Sequence, residues 1–282
     1  MARGISLHIG LNSVDPKHYA GWSGPLQACE ADAEDMRDLA RQQGFEPTAL
    51  LLSSDGTRKA VVDGIVEAAK ALTAGDTFFL TYSGHGGQVP DANGDDPDGE
   101  DETWCLFDGQ LLDDELYLLW GAFQEGVRIL VLSDSCHSGS VTRLALAQAA
   151  NRAMAELEVL AQYGVTELRA RYMPPDAALR TYRHNRAFYD ALGKDLPVEP
   201  PVPKASVRLI SGCQDSQTSL DGTFNGLFTG VLLKVWKSGG FRGNYRRFHR
   251  EIVKRMPPQQ TPNHFLVGAP LPSFDRERPF TI

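Results

Sequence analysis

Thr77-Phe78-Phe79-Leu80-Thr81-Tyr82-Ser83-Gly84-His85-Gly86-Gly87 is the stretch that decides the fold. From Thr77 to Tyr82 nearly every residue is apolar or β-branched, with no polar alternation, as in a strand buried on both faces. The run then breaks into a glycine-rich polar turn. Arg128–Leu132 (Arg-Ile-Leu-Val-Leu) and Ser206–Ile210 (Ser-Val-Arg-Leu-Ile) repeat the pattern. The first runs into Ser133-Asp134-Ser135-Cys136-His137-Ser138-Gly139, the second into Ser211-Gly212-Cys213-Gln214-Asp215. Strands of this kind belong to sheets covered by helices on both sides.

The intervening segments supply the helices. Across Gly24–Gly44, Leu26, Cys29, Ala33, Met36, Leu39 and Ala40 fall mostly three and four apart, and Gly44 is placed to end the helix. Val62, Ile65, Val66 and Ala69 repeat that spacing within Lys59–Leu72. Ile5–Leu11 and Thr48–Leu52 read as further strands, the second followed by an Asp55-Gly56 turn. The expectation is an α/β sandwich around a mostly parallel sheet.

Two segments depart from the alternation. Pro90–Glu102 carries Asp91, Asp95, Asp96, Asp98, Glu100, Asp101 and Glu102 among Gly, Pro and Asn, and reads as a solvated acidic loop. It has neither the spacing nor the flanking helices of an EF-hand. Residues 141–204 lack strand character. An amphipathic run places Leu144, Ala147, Ala150, Met154, Leu157 and Leu160 on one face, and the segment ends in a stiff proline cluster at 197–203. The chain therefore divides into a large part (1–140), a helix-rich, Arg-containing insertion (141–204) and a small part (205–282).

Composition narrows the class. The 282 residues are 42% hydrophobic and 23% charged, as in a globular protein with a sizeable core. A net charge of −8 argues against a broad nucleic-acid or anionic-membrane surface. No apolar run approaches the roughly 18–20 residues of a membrane span. The N-terminus enters the first strand with no signal-peptide segment, so the expected location is cytoplasmic, with no long N-terminal extension. Cys29, Cys105, Cys136 and Cys213 form no CxxC pair and read as free thiols.

In open α/β sheets ligands bind at the carboxyl ends of the strands. There the sequence places His85 after one buried strand and Cys136 after another. Alone, a His in a glycine-rich turn reads as a capping or solvent residue, and a Cys at a strand end as core. Together they make a thiol nucleophile and its proton shuttle, with glycines that let a peptide backbone approach. His137 is the rival base. It adjoins Cys136, and neighbouring side chains on an extended strand point opposite ways, which favours His85.

Tyr82-Ser-Gly-His85-Gly and Asp134-Ser-Cys136-His-Ser-Gly resemble the two catalytic motifs of the metacaspases, caspase-fold cysteine peptidases. Leu26-Gln-Ala-Cys29-Glu-Ala-Asp32-Ala, Leu112-Asp113-Asp114-Glu-Leu and Ile210-Ser-Gly-Cys-Gln-Asp215-Ser-Gln-Thr-Ser resemble other family segments, in family order. The separation of His85 and Cys136 is close to the roughly 50 residues of caspases, though the caspase Gln-Ala-Cys signature is absent at Cys136.

The resemblance implies a caspase-like three-layer α/β/α sandwich around a mostly parallel six-stranded sheet. It implies Cys136 as nucleophile, His85 as acid and base, and the backbone N–H groups of Gly86 and Cys136 as oxyanion donors. Cys29, Asp32, Ser83 and Asp134 then line the pocket (S1) for the residue before the cleaved bond (P1). Two carboxylates there call for Arg or Lys in a protein or peptide substrate. Asp101, Asp113 and Asp114 resemble calcium ligands, with Glu102 as a helper, and oxygen donors suit that cation. Arg143 stands where the family often has a fourth Asp. The insertion offers Arg143, Arg152, Arg169, Arg171, Arg180, Arg183 and Arg186 as self-cleavage sites. Regulation by calcium, by the insertion or by an activating or inhibitory partner protein stays open. So do a non-proteolytic adaptor and a caspase-fold peptidase of other specificity, such as the legumain or gingipain type.

Overall fold

The computed structural model describes residues 2–92, 94, 99–135, 169–213, 220–222, 224–258 and 260–282. The opening stretch forms β3 (Thr77–Ser83), with all seven residues buried. It pairs in parallel with β1 (Gly4–Gly10) on one side and β7 (Arg128–Asp134) on the other. β2 (Glu46–Leu52) and β9 (Ser206–Ser211) extend the sheet in parallel, and β11 (Asn263–Gly268) closes it antiparallel. The order is β11-β9-β7-β3-β1-β2, the mostly parallel six-stranded sheet expected.

Helices cover both faces. On one, α2 (Arg58–Ala71) and α3 (Asp113–Trp120) bury Val61, Ile65, Leu116 and Trp120 against Leu7, Ile9, Phe78 and Leu80. On the other, α1 (Cys29–Gln42), α6 (Leu227–Trp236) and α7 (Tyr245–Val253) pack Met36, Leu39, Phe228, Val231 and Phe248 against Phe79, Leu130 and Leu132. Among the described residues no helix is long and apolar enough to cross a membrane.

Local chemistry explains where the boundaries fall. The helix expected from Gly24 begins at Cys29, because the Asn12 side chain accepts from the Cys29 N–H at 2.9 Å and so caps it from the loop after β1. α2 starts after Thr57, whose hydroxyl accepts from Ala60 N at 3.2 Å. The acidic loop is shorter than expected. Glu100–Glu102 begin β5 (Glu100–Leu106), which pairs with β4 (Gly86–Pro90) and β6 (Gly109–Leu112) in an antiparallel meander.

The insertion carries a short strand that the sequence reading missed. β8 (Arg169–Ala170) pairs antiparallel with β10 (Leu220–Asp221). α4 (Pro175–His184) and α5 (Arg186–Asp195) follow and dock on the meander, Tyr189 and Leu196 clustering with Val89 and Leu112. The Tyr189 hydroxyl accepts from Gln110 N at 3.2 Å and meets His18 Nε2 at 2.7 Å. Residues 196–205 have neither helix nor strand, as the prolines require. The amphipathic run at 144–160 lies outside the described residues.

Candidate active site

β3, β7 and β9 end side by side, with Ser83 opposite Asp134 and Ser133 opposite Ser211. The carboxyl ends of the three strands are thus brought to one edge. Cys136 and His137 lie outside the described residues, as does the Cys136 N–H. The chain is described to Ser135, which is buried and hydrogen-bonds the Ser133 hydroxyl at 2.9 Å.

His85 is buried. Its Nε2 donates to the Gly24 carbonyl at 3.0 Å, leaving Nδ1 as the nitrogen free to exchange a proton. Nδ1 has no hydrogen-bond partner among the described residues. The Trp22 ring lies 4.8 Å from the imidazole. Burial lowers the His85 pKa to about 4, opposed by the Gly24 carbonyl and by Asp221. Gly24 has a φ of +51°, and a Cβ there would come within 2.9 Å of the imidazole and 2.8 Å of Trp22. Only glycine brings that carbonyl so close to the ring.

Ser83, Asp32 and Asp134 meet beside this centre, and an arginine of the chain itself sits between them. Arg171 is wholly buried. Its Nη2 donates to Asp32 Oδ2 at 2.7 Å and to Asp221 Oδ1 at 2.9 Å. Its Nη1 donates to the Ser83 hydroxyl at 2.7 Å and lies 3.0 Å from Asp134 Oδ2. Ser83 in turn donates to Asp32 at 2.7 Å.

The carboxylates are held by other donors as well as by Arg171. Asp32 accepts from Gly226 N and Asn225 Nδ2, each at 3.0 Å, and Asp134 from the Thr229 hydroxyl at 2.9 Å. Asp221 accepts from Gln27 N at 2.8 Å. Burial raises the Asp32 pKa to about 6, Arg171 working against it and Asp134 with it. Cys29 is also buried, and desolvation drives its thiol strongly upward, so it is an inert wall rather than a nucleophile.

The backbone around Arg171 is extended and paired on both sides. Ala170 lies opposite Leu220, and the Gly86 N–H donates to the Arg171 carbonyl at 3.1 Å. Met173 N returns a bond to the Gly86 carbonyl at 2.8 Å. This is how an extended peptide adds to a sheet edge. Arg180 and Arg183 lie within α4 and Arg186 opens α5, so none offers an extended bond. Arg143 and Arg152 lie outside the described residues, and Arg169 lies on β8 two residues before Arg171.

Asp221 escaped the sequence reading, being a single acid followed by glycine with no periodic context. The carboxylates assigned to calcium come near one another without converging. Glu102, Asp113 and Asp114 line a cavity of about 350 Å³ with Trp104, Tyr117 and Trp120, while Asp101 is buried on the strand beside Glu102. Among the described residues no three Asp, Glu, His or Cys side chains form a set fitted to a metal ion.

A family model described as the caspase domain matches residues 13–279. Metacaspase-1 of Schizosaccharomyces pombe is 30% identical over 256 residues, covering 80% of this chain and 57% of the fungal protein. Metacaspase-1 of Pyricularia oryzae is 30% identical over 276 residues, covering 88% of this chain and 66% of its own length. The chain thus spans less than two thirds of these relatives. Protein GSU0716 from Geobacter sulfurreducens superposes with a TM-score of 0.86 at 55% identity, over 99% of both chains. Caspase-1 from Spodoptera frugiperda shares the fold at a TM-score of 0.53 and 11% identity, over 95% of this chain and 88% of the insect chain.

Proposed function

The chain belongs to the caspase-domain peptidases, and from that premise we propose that it is a cysteine endopeptidase that cuts after arginine, its own Arg171–Tyr172 bond being the first substrate. The observation that carries this reading is the double seating of Arg171. Its guanidinium lies among Asp32, Asp134 and Asp221 while its carbonyl oxygen rests on the Gly86 N–H. Any buried carbonyl takes a donor, so neither contact alone marks a scissile residue; what supports the reading is that the pocket contact and the Gly86 contact fall on one and the same residue.

The chemistry follows from those positions. His85 Nδ1 takes the Cys136 thiol proton, the thiolate attacks the Arg171 carbonyl carbon, and the charge that builds on its oxygen is met by Gly86 N, an oxyanion donor of the kind whose loss costs about 3–4 kcal/mol. Collapse breaks the C–N bond, with the proton on His85 passing to the Tyr172 nitrogen. Water then hydrolyses the thioester, His85 taking its proton. The Gly24 carbonyl holds the imidazole throughout.

Specificity comes from charge and shape. Three buried carboxylates match a forked guanidinium better than an ammonium, so Arg should exceed Lys, and Asp and Asn should be refused. The substrates in trans are proteins or peptides with a basic P1 residue.

The test compares wild type with Cys136→Ala by intact mass, alongside Arg, Lys, Asp and Asn aminomethylcoumarin peptides. A wild-type cut between Arg171 and Tyr172, absent in Cys136→Ala, with Arg peptides turned over fastest, is expected. An uncut wild type that ignores every peptide would favour an adaptor.

A further inference from the structure

Beyond the arginine pocket, and resting on the reading of Arg171 as P1, we infer a second specificity pocket on the leaving-group side: a buried slot for a long unbranched apolar residue, methionine above all, two positions after the cut (P2′). The chain's own segment again marks the site. Gly86 clasps Tyr172 from both sides, donating to the Arg171 carbonyl and accepting from Met173 N at 2.8 Å. The segment is therefore extended through Met173, and alternate side chains face the same way. Arg171 and Met173 are both wholly buried. Tyr172, between them, packs instead with Cys213 and Ala170.

The Met173 slot is built from residues that play no part in arginine recognition. A Cβ placed on Gly87 would stand 2.8 Å from Met173 Cε, 2.6 Å from Gln110 Oε1 and 3.0 Å from Cys105 Sγ, so the absent side chain is what admits the methionine tip. Cys105, with Leu106 and Leu111, belongs to the apolar core that Met173 joins. The Gln110 carboxamide is fixed by Thr103, whose hydroxyl donates to Oε1 at 2.7 Å. Its Nε2 is buried with no acceptor among the described residues. A thioether is apolar enough for such a slot and is also a weak acceptor. A charged side chain there would be buried without a counter-ion, and a short β-branched one would not reach the Gly87 end of the slot, where Met173 Cε sits.

The experiment uses wild-type enzyme after its self-cut and quenched peptides of the form Ala-Arg-Tyr-X-Pro, with X as Met, norleucine, Val, Gly or Lys. Ala-Arg-aminomethylcoumarin, which has no P2′ residue, reports the arginine pocket alone. The expected result is a kcat/KM about tenfold or more higher for Met than for Lys or Gly, with norleucine close to Met and Val below it. Equal rates across the X series, with the coumarin peptide still cut, would overturn the slot and leave the arginine reading standing. So would refusal of every X peptide while the coumarin peptide is cut, since Tyr172 and Met173 would then keep the prime side to themselves. Failure on the coumarin peptide as well removes the arginine reading, and the slot with it.

Discussion

The Gly86 N–H donates to the Arg171 carbonyl at 3.1 Å while the Arg171 guanidinium lies 2.7 Å from Asp32. One residue is gripped at both ends, by a backbone donor and by a charged pocket. Substrate recognition by a peptidase needs these two contacts together, and each is separately testable.

Arg171→Ala removes a guanidinium that three buried carboxylates hold. Breaking a buried ion network by deleting one partner typically costs about 3–5 kcal/mol. The variant should therefore melt several degrees below wild type. Millimolar agmatine, a free guanidinium on an alkyl chain, should recover part of the loss by binding the folded state alone. A melting temperature that ignores agmatine would mean the pocket does not take guanidinium ligands.

The pH dependence follows from Asp32, whose pKa is raised to about 6 by burial. Arg171 acts to lower that pKa, so the ionised carboxylate holds the guanidinium more tightly than the neutral acid does. That value belongs to the pocket with a guanidinium in it and lies higher in the empty pocket, so KM for Arg peptides should climb as pH falls toward 6 and level off below it. In Asp32→Asn the dependence should vanish and KM should be high throughout. A wild-type KM independent of pH between 5 and 8 would count against Asp32 as a ligand of P1.

How much of this was legible beforehand varies with sequence distance. The sheet was legible because each buried strand is a continuous apolar run, and Thr77–Tyr82 can be little else. His85, Asp32, Ser83 and Asp134 lie within such runs or helices, or directly after them, so their convergence followed from topology. Asp221 did not follow, because β10 is two residues long and exists only where β8 pairs with it. The same holds for Arg171. It was one arginine among seven, and nothing local to it tells which one three distant carboxylates will hold. Trp22 and Gly24 stayed hidden because a loop residue carries no period.

Trp22→Leu tests what tunes His85. Burial is the largest cause of its low pKa, lowered to about 4, and the Trp22 ring at 4.8 Å is part of that cover. The ring also favours an imidazolium by cation–π attraction, about 2 kcal/mol at a desolvated site, and the lowered pKa shows that burial outweighs it. Letting water in should therefore raise the pKa. The acid limb of kcat/KM should move upward by about one pH unit, and Trp22→Phe should move it less. An acid limb moving downward would make cation–π attraction the dominant effect.

Calcium is tested through the donor set. Glu102, Asp113 and Asp114 line one cavity, so changing them to the amides should remove any difference in self-cut and Arg-peptide turnover between calcium and chelator. Arg143→Asp, which places the family's fourth carboxylate, should increase the response to calcium. A loss of more than about tenfold on adding chelator to wild type would assign the ion a role in this chain.

Gly226→Ala probes the pocket by volume rather than charge. Gly226 has a φ of −59°, which alanine adopts without strain. Its added Cβ would stand 2.5 Å from the carbon and both terminal nitrogens of the Arg171 guanidinium. That overlap is with the planar end of a side chain already fixed by three carboxylates, so the guanidinium has nowhere to shift. The substitution should expel Arg171 and block arginine in trans, lowering kcat/KM for Arg peptides by about 100-fold or more, equivalent to about 2.7 kcal/mol. The Gly226 N–H still donates to Asp32, so the carboxylate keeps its orientation, and the loss can be laid to shape. Lysine, whose ammonium carries no planar fork, should lose less than arginine, and the Arg-to-Lys ratio should fall. An unchanged ratio with undiminished self-cleavage would put the P1 pocket somewhere other than beneath Gly226.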